Sequence, residues 1–508
     1  MLSRIGFLPG LSIAILAAMA GPALGAADVR LAEAAAGQDK EAVRALLREG
    51  AGANASQADG TTALHWAAHW DDLETAELLI RAGAGADAVN DYGATPLSLA
   101  CTNANAAMVA SLLAAGADAN AASDSGETPL MLCARTGSAA AVKFLLARGA
   151  QVDARDNEQG QTALMWAAAQ DHGAAAQALI DGGADIHARS QRGFTPLLFA
   201  ARTGAVEAAG VLLAAGAPVN EPGPEGMTPL LLASAGGQEA IAIFLLDKGA
   251  DPDARDENGA SALHFALWKG ITLLNGVRYA NYVAHLMRPS LRELVAALLA
   301  HGADPNAQFT RTPVTAGDAD PAMAGATPFL LAAASPDPAV MRMLAVAGAD
   351  PKRPTAGNLT PVMAAAGVAR GQDFTDDEKR LAFEAVRLAV EFGGDVNAAT
   401  VDGLTAVHGA SANGADDIVR FLVQQGAKLD VRDKYQQTPL SIASGVRLPW
   451  IPYGEELGEI IQPSTAELLL SLGATPLDTP DYFKPVAEET EAYRINQSQR
   501  YQDPAAAR

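Results

Sequence analysis

The sequence predicts an all-α solenoid, a stack of about twelve helix-turn-helix units with insertions in its C-terminal half. Three observations lead there. The 508 residues exceed what one compact domain needs. A Thr-Pro-Leu motif or a close variant returns at a nearly constant spacing. A second motif, Gly-Ala-Asp-x-Asn, runs in step with the first. A period between 20 and 50 residues marks an array whose units hide their apolar faces only against neighbours.

The first motif begins at Thr62, Thr95, Thr128, Thr162, Thr195, Thr228 and Ser261, and resumes at Thr327, Thr360, Thr405 and Thr438. The intervals are 33, 33, 34, 33, 33 and 33 residues, then 66, 33, 45 and 33. The second motif is clear at Gly116, Gly216, Gly302 and Gly393. A stretch from Asp28 to Asn54 has the same pattern without the Thr-Pro-Leu start, as a terminal capping unit should. With the eleven starts it makes twelve.

One copy explains the unit. Thr128 is placed to cap a short helix, and Pro129 stands at its first position, where the missing N–H costs nothing. Leu130, Leu132 and Ala134 form that helix, and Gly137 ends it. A second helix with Val142, Phe144, Leu145 and Leu146 packs back antiparallel and stops at Gly149. Gln151 to Gly160 then crosses to the next unit as a turn-rich loop, where Asp153 and Asp156 can bond turn amides.

At the N-terminus, residues 1–25 read as a secretory signal: Arg4 precedes an apolar stretch from Ile5 to Ala20, with small residues at Ala23 and Gly25 before the cleavage point. Removal of Ala26 with it fits nearly as well, and an uncleaved anchor is the alternative. The stretch is short and broken by Pro9 and Gly10, so it makes a poor membrane span, and no later segment reaches spanning length. The expected location is therefore periplasmic or secreted.

Acidic residues outnumber basic ones by 58 to 36, giving a net charge of −22, which argues against nucleic acid as a partner. Aromatics are only 5 % of the chain, which suits thin helices better than deep aromatic pockets. The two cysteines, Cys101 and Cys133, fall in the first helices of neighbouring units. Helix axes stack about 8–10 Å apart and disulfides need closer Cα atoms. The expectation is therefore two buried free thiols.

The two phased motifs resemble the ankyrin-repeat family over essentially the whole mature chain. That resemblance implies a non-catalytic recognition scaffold that holds a protein partner on its concave face, at loop tips and at the exposed ends of the first helices. Carried over by position, the end pairs are His69/Trp70, Thr102/Asn103, Arg135/Thr136, Ala169/Gln170, Arg202/Thr203 and Trp268/Lys269. The tips offer Tyr92, Arg192, Phe194, Lys434 and Tyr435. Tryptophan and arginine dominate interface energies, which singles out Trp70, Arg135, Arg202 and Trp268.

The spacing divides the chain into the signal, a capping unit at 26–58, regular repeats over 59–267 and an expanded unit over 268–326. Repeats with insertions near 368–378 and 445–463 fill 327–477, and a tail covers 478–508. Three of four insertions fall between the two helices of a unit. They carry Tyr279, Tyr282, Trp450 and Tyr453, either as a second decorated surface or as internal braces. The alternative function, an enzyme, an enzyme-accessory subunit or a small-ligand or carbohydrate receptor, would be built from these insertions.

Other motifs weigh little. His65 and His69 have a metal-ligand spacing but no third partner, and by the resemblance His65, His264 and His408 bond turn backbone between neighbouring repeats. The Gly-Ala-Gly-Ala stretches at Gly50 and Gly83 follow helices rather than strands, so they are not nucleotide fingerprints. No cofactor, metal or catalytic residue is expected.

Overall fold

The computed structural model describes residues 29–267, 291–310, 324–368, 375–445 and 462–477. Among them are twenty-four α-helices and no strand longer than an isolated bridge. They pair into twelve antiparallel units in chain order, and one continuous apolar core runs through the stack. No helix among the described residues is long and apolar enough to cross a membrane.

The first helices obey their capping residues. In the fourth unit the helix Pro129–Arg135 starts behind Thr128, whose Oγ1 accepts from the Met131 N–H. Thr62, Thr95, Thr195, Thr228, Thr327, Thr360 and Thr438 cap in the same way. In three units the capping box is closed by an imidazole. His65, His264 and His408 accept the cap residue's N–H at Nδ1, while Nε2 contacts a carbonyl of the next unit's loop.

A ladder sews the loops together. At nine of the eleven junctions an Asn or Asp oxygen accepts an N–H of the following loop at 2.6–3.0 Å. Where the residue is Asn, its amide also donates to a glycine carbonyl of that next loop. The two gaps have visible causes. His187 and Lys352 occupy the ladder position in their loops, and the residue His187 would meet is Pro218, which has no N–H. Asp156 serves its own turn instead, accepting from Glu158, Gln159, Gly160 and Gln161.

Two features depart from the sequence reading. Cys101 and Cys133 are not free thiols; they form a disulfide, with Cα atoms 4.5 Å apart. An axis separation of about 8–10 Å does not forbid this, because each Cα lies about 2.3 Å off its axis and facing atoms come much closer. The small neighbours Ala100 and Ala134 are fully buried at this contact and allow it.

The other departure is in the tenth unit. Its second helix, Asp376–Glu391, has 16 residues against nine in most units, so residues 376–378 are its first turn rather than inserted loop. Thr375 and Glu378 form the capping box that starts it early.

Around the larger interruptions the unit closes as usual. The Leu291 N–H donates to the Ala266 carbonyl and the Gln462 N–H to the Ala443 carbonyl, as Asp72 does to Ala67 in an uninterrupted unit. The helix pair is thus re-entered in register after 268–290 and after 446–461.

Candidate functional site

The ends of the first helices and the loop tips carry the side chains that the resemblance points to, and they gather into three clusters. The first is aromatic. His69 and Trp70 are exposed at the end of the helix Ala63–His69, with Trp70 at 44 %. Trp66, one turn earlier, stacks on Trp70 at a 6.4 Å centroid distance, and the His69 ring meets Trp70 edge-on at 4.7 Å. Each indole is anchored: Trp66 Nε1 donates to Gln57 at 2.9 Å and Trp70 Nε1 to the Ala36 carbonyl at 3.1 Å. The platform is rigid and half of it faces outward.

The second cluster joins neighbouring units. The Arg135 guanidinium lies over the Trp166 ring of the next unit, 5.0 Å from its centroid. Glu127 stands 3.8 Å from Arg135, a long ion pair between half-exposed groups and so a weak one. His172 Nε2 contacts the Arg135 carbonyl at 3.0 Å. Trp166 has the same place in its unit as Trp66, but its buried Nε1–H meets no acceptor among the described residues.

The third lies in the sixth unit. Arg202 is half-buried, with its guanidinium 5.3 Å from the Phe194 centroid and 4.9 Å from that of Phe199. Burial, with the charge of nearby Arg192, holds its pKa below the usual arginine value. Arg192 itself is exposed at the loop tip.

Arg135, Arg202 and Phe194 are therefore less exposed than their positions imply, because each arginine uses one face of its guanidinium to cover a ring. Two tips stand apart. Tyr92 is 78 % exposed, and Tyr435, 38 % exposed, lies beneath the Lys434 ammonium at 4.9 Å. Trp268, Lys269, Tyr279, Tyr282, Trp450 and Tyr453 lie outside the described residues.

The sequence reading did not single out Trp66, Trp166 or Phe199. The available signal was their register. Each stands four residues after its unit's capping threonine, one helical turn before the exposed end, and so shares its face. His65 has both ring nitrogens engaged, Nδ1 with Thr62 and Nε2 with the Ala94 carbonyl at 3.0 Å, which separates it functionally from His69.

The match to a family model agrees with the fold. The family described as "Ankyrin repeats (3 copies)" matches residues 31–123, 105–190, 156–223, 171–256, 197–309 and 379–449, more than half of the chain. No curated protein matches the chain. Among solved structures, the ankyrin repeat domain of human ASB11 is 28 % identical, covering 44 % of this chain and 98 % of its own, with a TM-score of 0.39.

Proposed function

The chain belongs to the ankyrin-repeat family, and from that premise we propose that it is an exported, non-catalytic scaffold that binds a protein partner. The partner lies against the first-helix ends and loop tips. One observation carries this reading: Trp66, His69 and Trp70 form an anchored platform with Trp70 half in solvent, and Arg135 and Arg202 continue the same face over four further units. Anchored aromatics and arginines lose little side-chain freedom on binding, which is what interface hot spots need.

Export is supported by residues 1–25, with their basic residue, apolar stretch and small-residue end. The Cys101–Cys133 cross-link supports it independently, since structural disulfides persist in oxidising compartments.

The test is capture from an envelope extract by the chain beginning at Ala26, beside a Trp70→Ala/Tyr92→Ala/Arg135→Ala variant. One protein retained by the first and released by the second is the expected outcome. Equal retention moves recognition away from this face, and no retention by either removes the proposal. Export is checked separately by fusing residues 1–28 to an alkaline phosphatase reporter, whose activity requires translocation.

A further inference from the structure

The face is not uniform in charge. From the third unit to the eighth, exposed charged residues at the loop tips are acidic at Asp91, Asp124, Glu158, Glu225 and Glu257; Arg192 is the exception. Behind it, in the same unit, Arg202 lies on the rings of Phe194 and Phe199. Neither arginine pairs with a carboxylate among the described residues, although the chain carries 58 acidic residues. Two units back, Arg135 has only the long contact to Glu127, and beside it the Trp166 indole N–H is buried without an acceptor. This face of units four to six thus holds two guanidiniums, Arg192 and Arg202, with no carboxylate partner among the described residues, and a third, Arg135, with only a distant one. A guanidinium without a carboxylate partner gains from an arriving one, because charge-assisted pairs are stronger than neutral hydrogen bonds.

We propose that this face, centred on Arg192 and Arg202, receives a carboxylate-bearing segment of the partner protein, an inference that rests on the scaffold reading above. Contact with two rings restrains the Arg202 side chain while its guanidinium keeps N–H groups to meet a carboxylate. Partial burial lowers the local dielectric and strengthens the contact. The acidic tips on both sides repel a long polyanion, so the fitting ligand is a short acidic stretch of polypeptide rather than a nucleic acid.

The probe is a fluorescein-labelled hexaglutamate peptide, titrated by anisotropy into the full chain at low and physiological salt, with hexalysine as the opposite charge. Saturable hexaglutamate binding that weakens with salt is expected. It should fall about tenfold or more in Arg192→Ala/Arg202→Ala. Arg192→Glu tests the same point at an exposed tip where folding is not at stake, and should abolish binding. The inference is overturned if hexaglutamate does not bind, if either variant binds it as well as the parent, or if a phosphoserine peptide displaces it at far lower concentration. The scaffold reading fails separately. A partner captured through Trp70 that is still held by Arg192→Glu would leave the scaffold standing and remove the acidic-segment site.

Discussion

His264 Nε2 lies 3.3 Å from the carbonyl oxygen of Ala326, which is 62 residues further along the chain and in the next unit. The contact is fully buried, and Nδ1 of the same ring closes the capping box of Ser261. One imidazole therefore ties a helix start to the neighbouring loop, and it does so neutral. Burial lowers the His264 pKa from 6.5 to about 4, against the opposing pull of the Ala326 carbonyl; His408 is lowered to about 4 for the same reason.

The pH dependence follows from the sign of those shifts. Between pH 4 and 6.5 the unfolded chain binds protons at these histidines that the folded chain refuses. Stability from this source is complete above the unfolded value and is lost as the pH falls toward the folded one, by up to about 3 kcal/mol per histidine. Urea midpoints should drop between pH 7.5 and 4.5. The His264→Gln/His408→Gln variant should show a shallower drop over the same window; an unchanged slope would assign the acid sensitivity to other groups.

The disulfide joins residues 32 positions apart in adjacent first helices. Cys101→Ser/Cys133→Ser should cost about 2–4 kcal/mol, by release of the constraint on the unfolded chain. Peptide mapping without reductant should find the two cysteine peptides linked in protein recovered from an oxidising compartment. Free alkylatable thiols in that folded protein would contradict the bond.

Removing a rung of the loop ladder has a local price. Asn306 accepts from the Asp350 N–H at 2.7 Å and donates to the Gly348 carbonyl at 2.9 Å. Asn306→Ala should destabilise by about 1–2 kcal/mol, the scale of two partly exposed hydrogen bonds. Hydrogen exchange should localise the loss to the loops around 304–306 and 348–350.

The gaps make the converse experiment possible. Lys352→Asn should supply both missing bonds and stabilise by roughly 1 kcal/mol. His187→Asn can recover only the bond to the glycine carbonyl, because Pro218 lacks an N–H. Thermal melts should rank the two variants in that order; equal gains would mean that the amide donation alone sets the ladder's strength.

Much of this architecture could be read in the sequence because it depends on local rules at a fixed period. Thr128 caps, Pro129 tolerates the first turn and the apolar residues follow, whatever the neighbouring unit contains. What could not be read were distances across units. The Cys101–Cys133 bond depends on how near two Cα atoms come at a contact cleared by alanines, not on the separation of helix axes. The stacking of Arg135 on Trp166 depends on side chains from different units meeting, and a position-by-position reading treats each as free. The early start of the helix at Asp376 did have a local signal, the Thr375–Glu378 box, hidden by the expectation of a constant helix length.

The loop ladder has a mechanical consequence. Its rungs are short, directional bonds that recur at nine of the eleven junctions, whereas polar ties between neighbouring second helices, such as Arg44–Glu74 and Arg292–Asp337, occur at fewer of them and differ from one to the next. The stack is therefore bound like a book along one edge. Pulled or pressed by a large ligand, it should bend by spreading its outer helices and keep the length of the bound edge nearly constant. Spacing between contact points on that edge would then be conserved while curvature adapts, so the protein can close around objects of different radius without losing register.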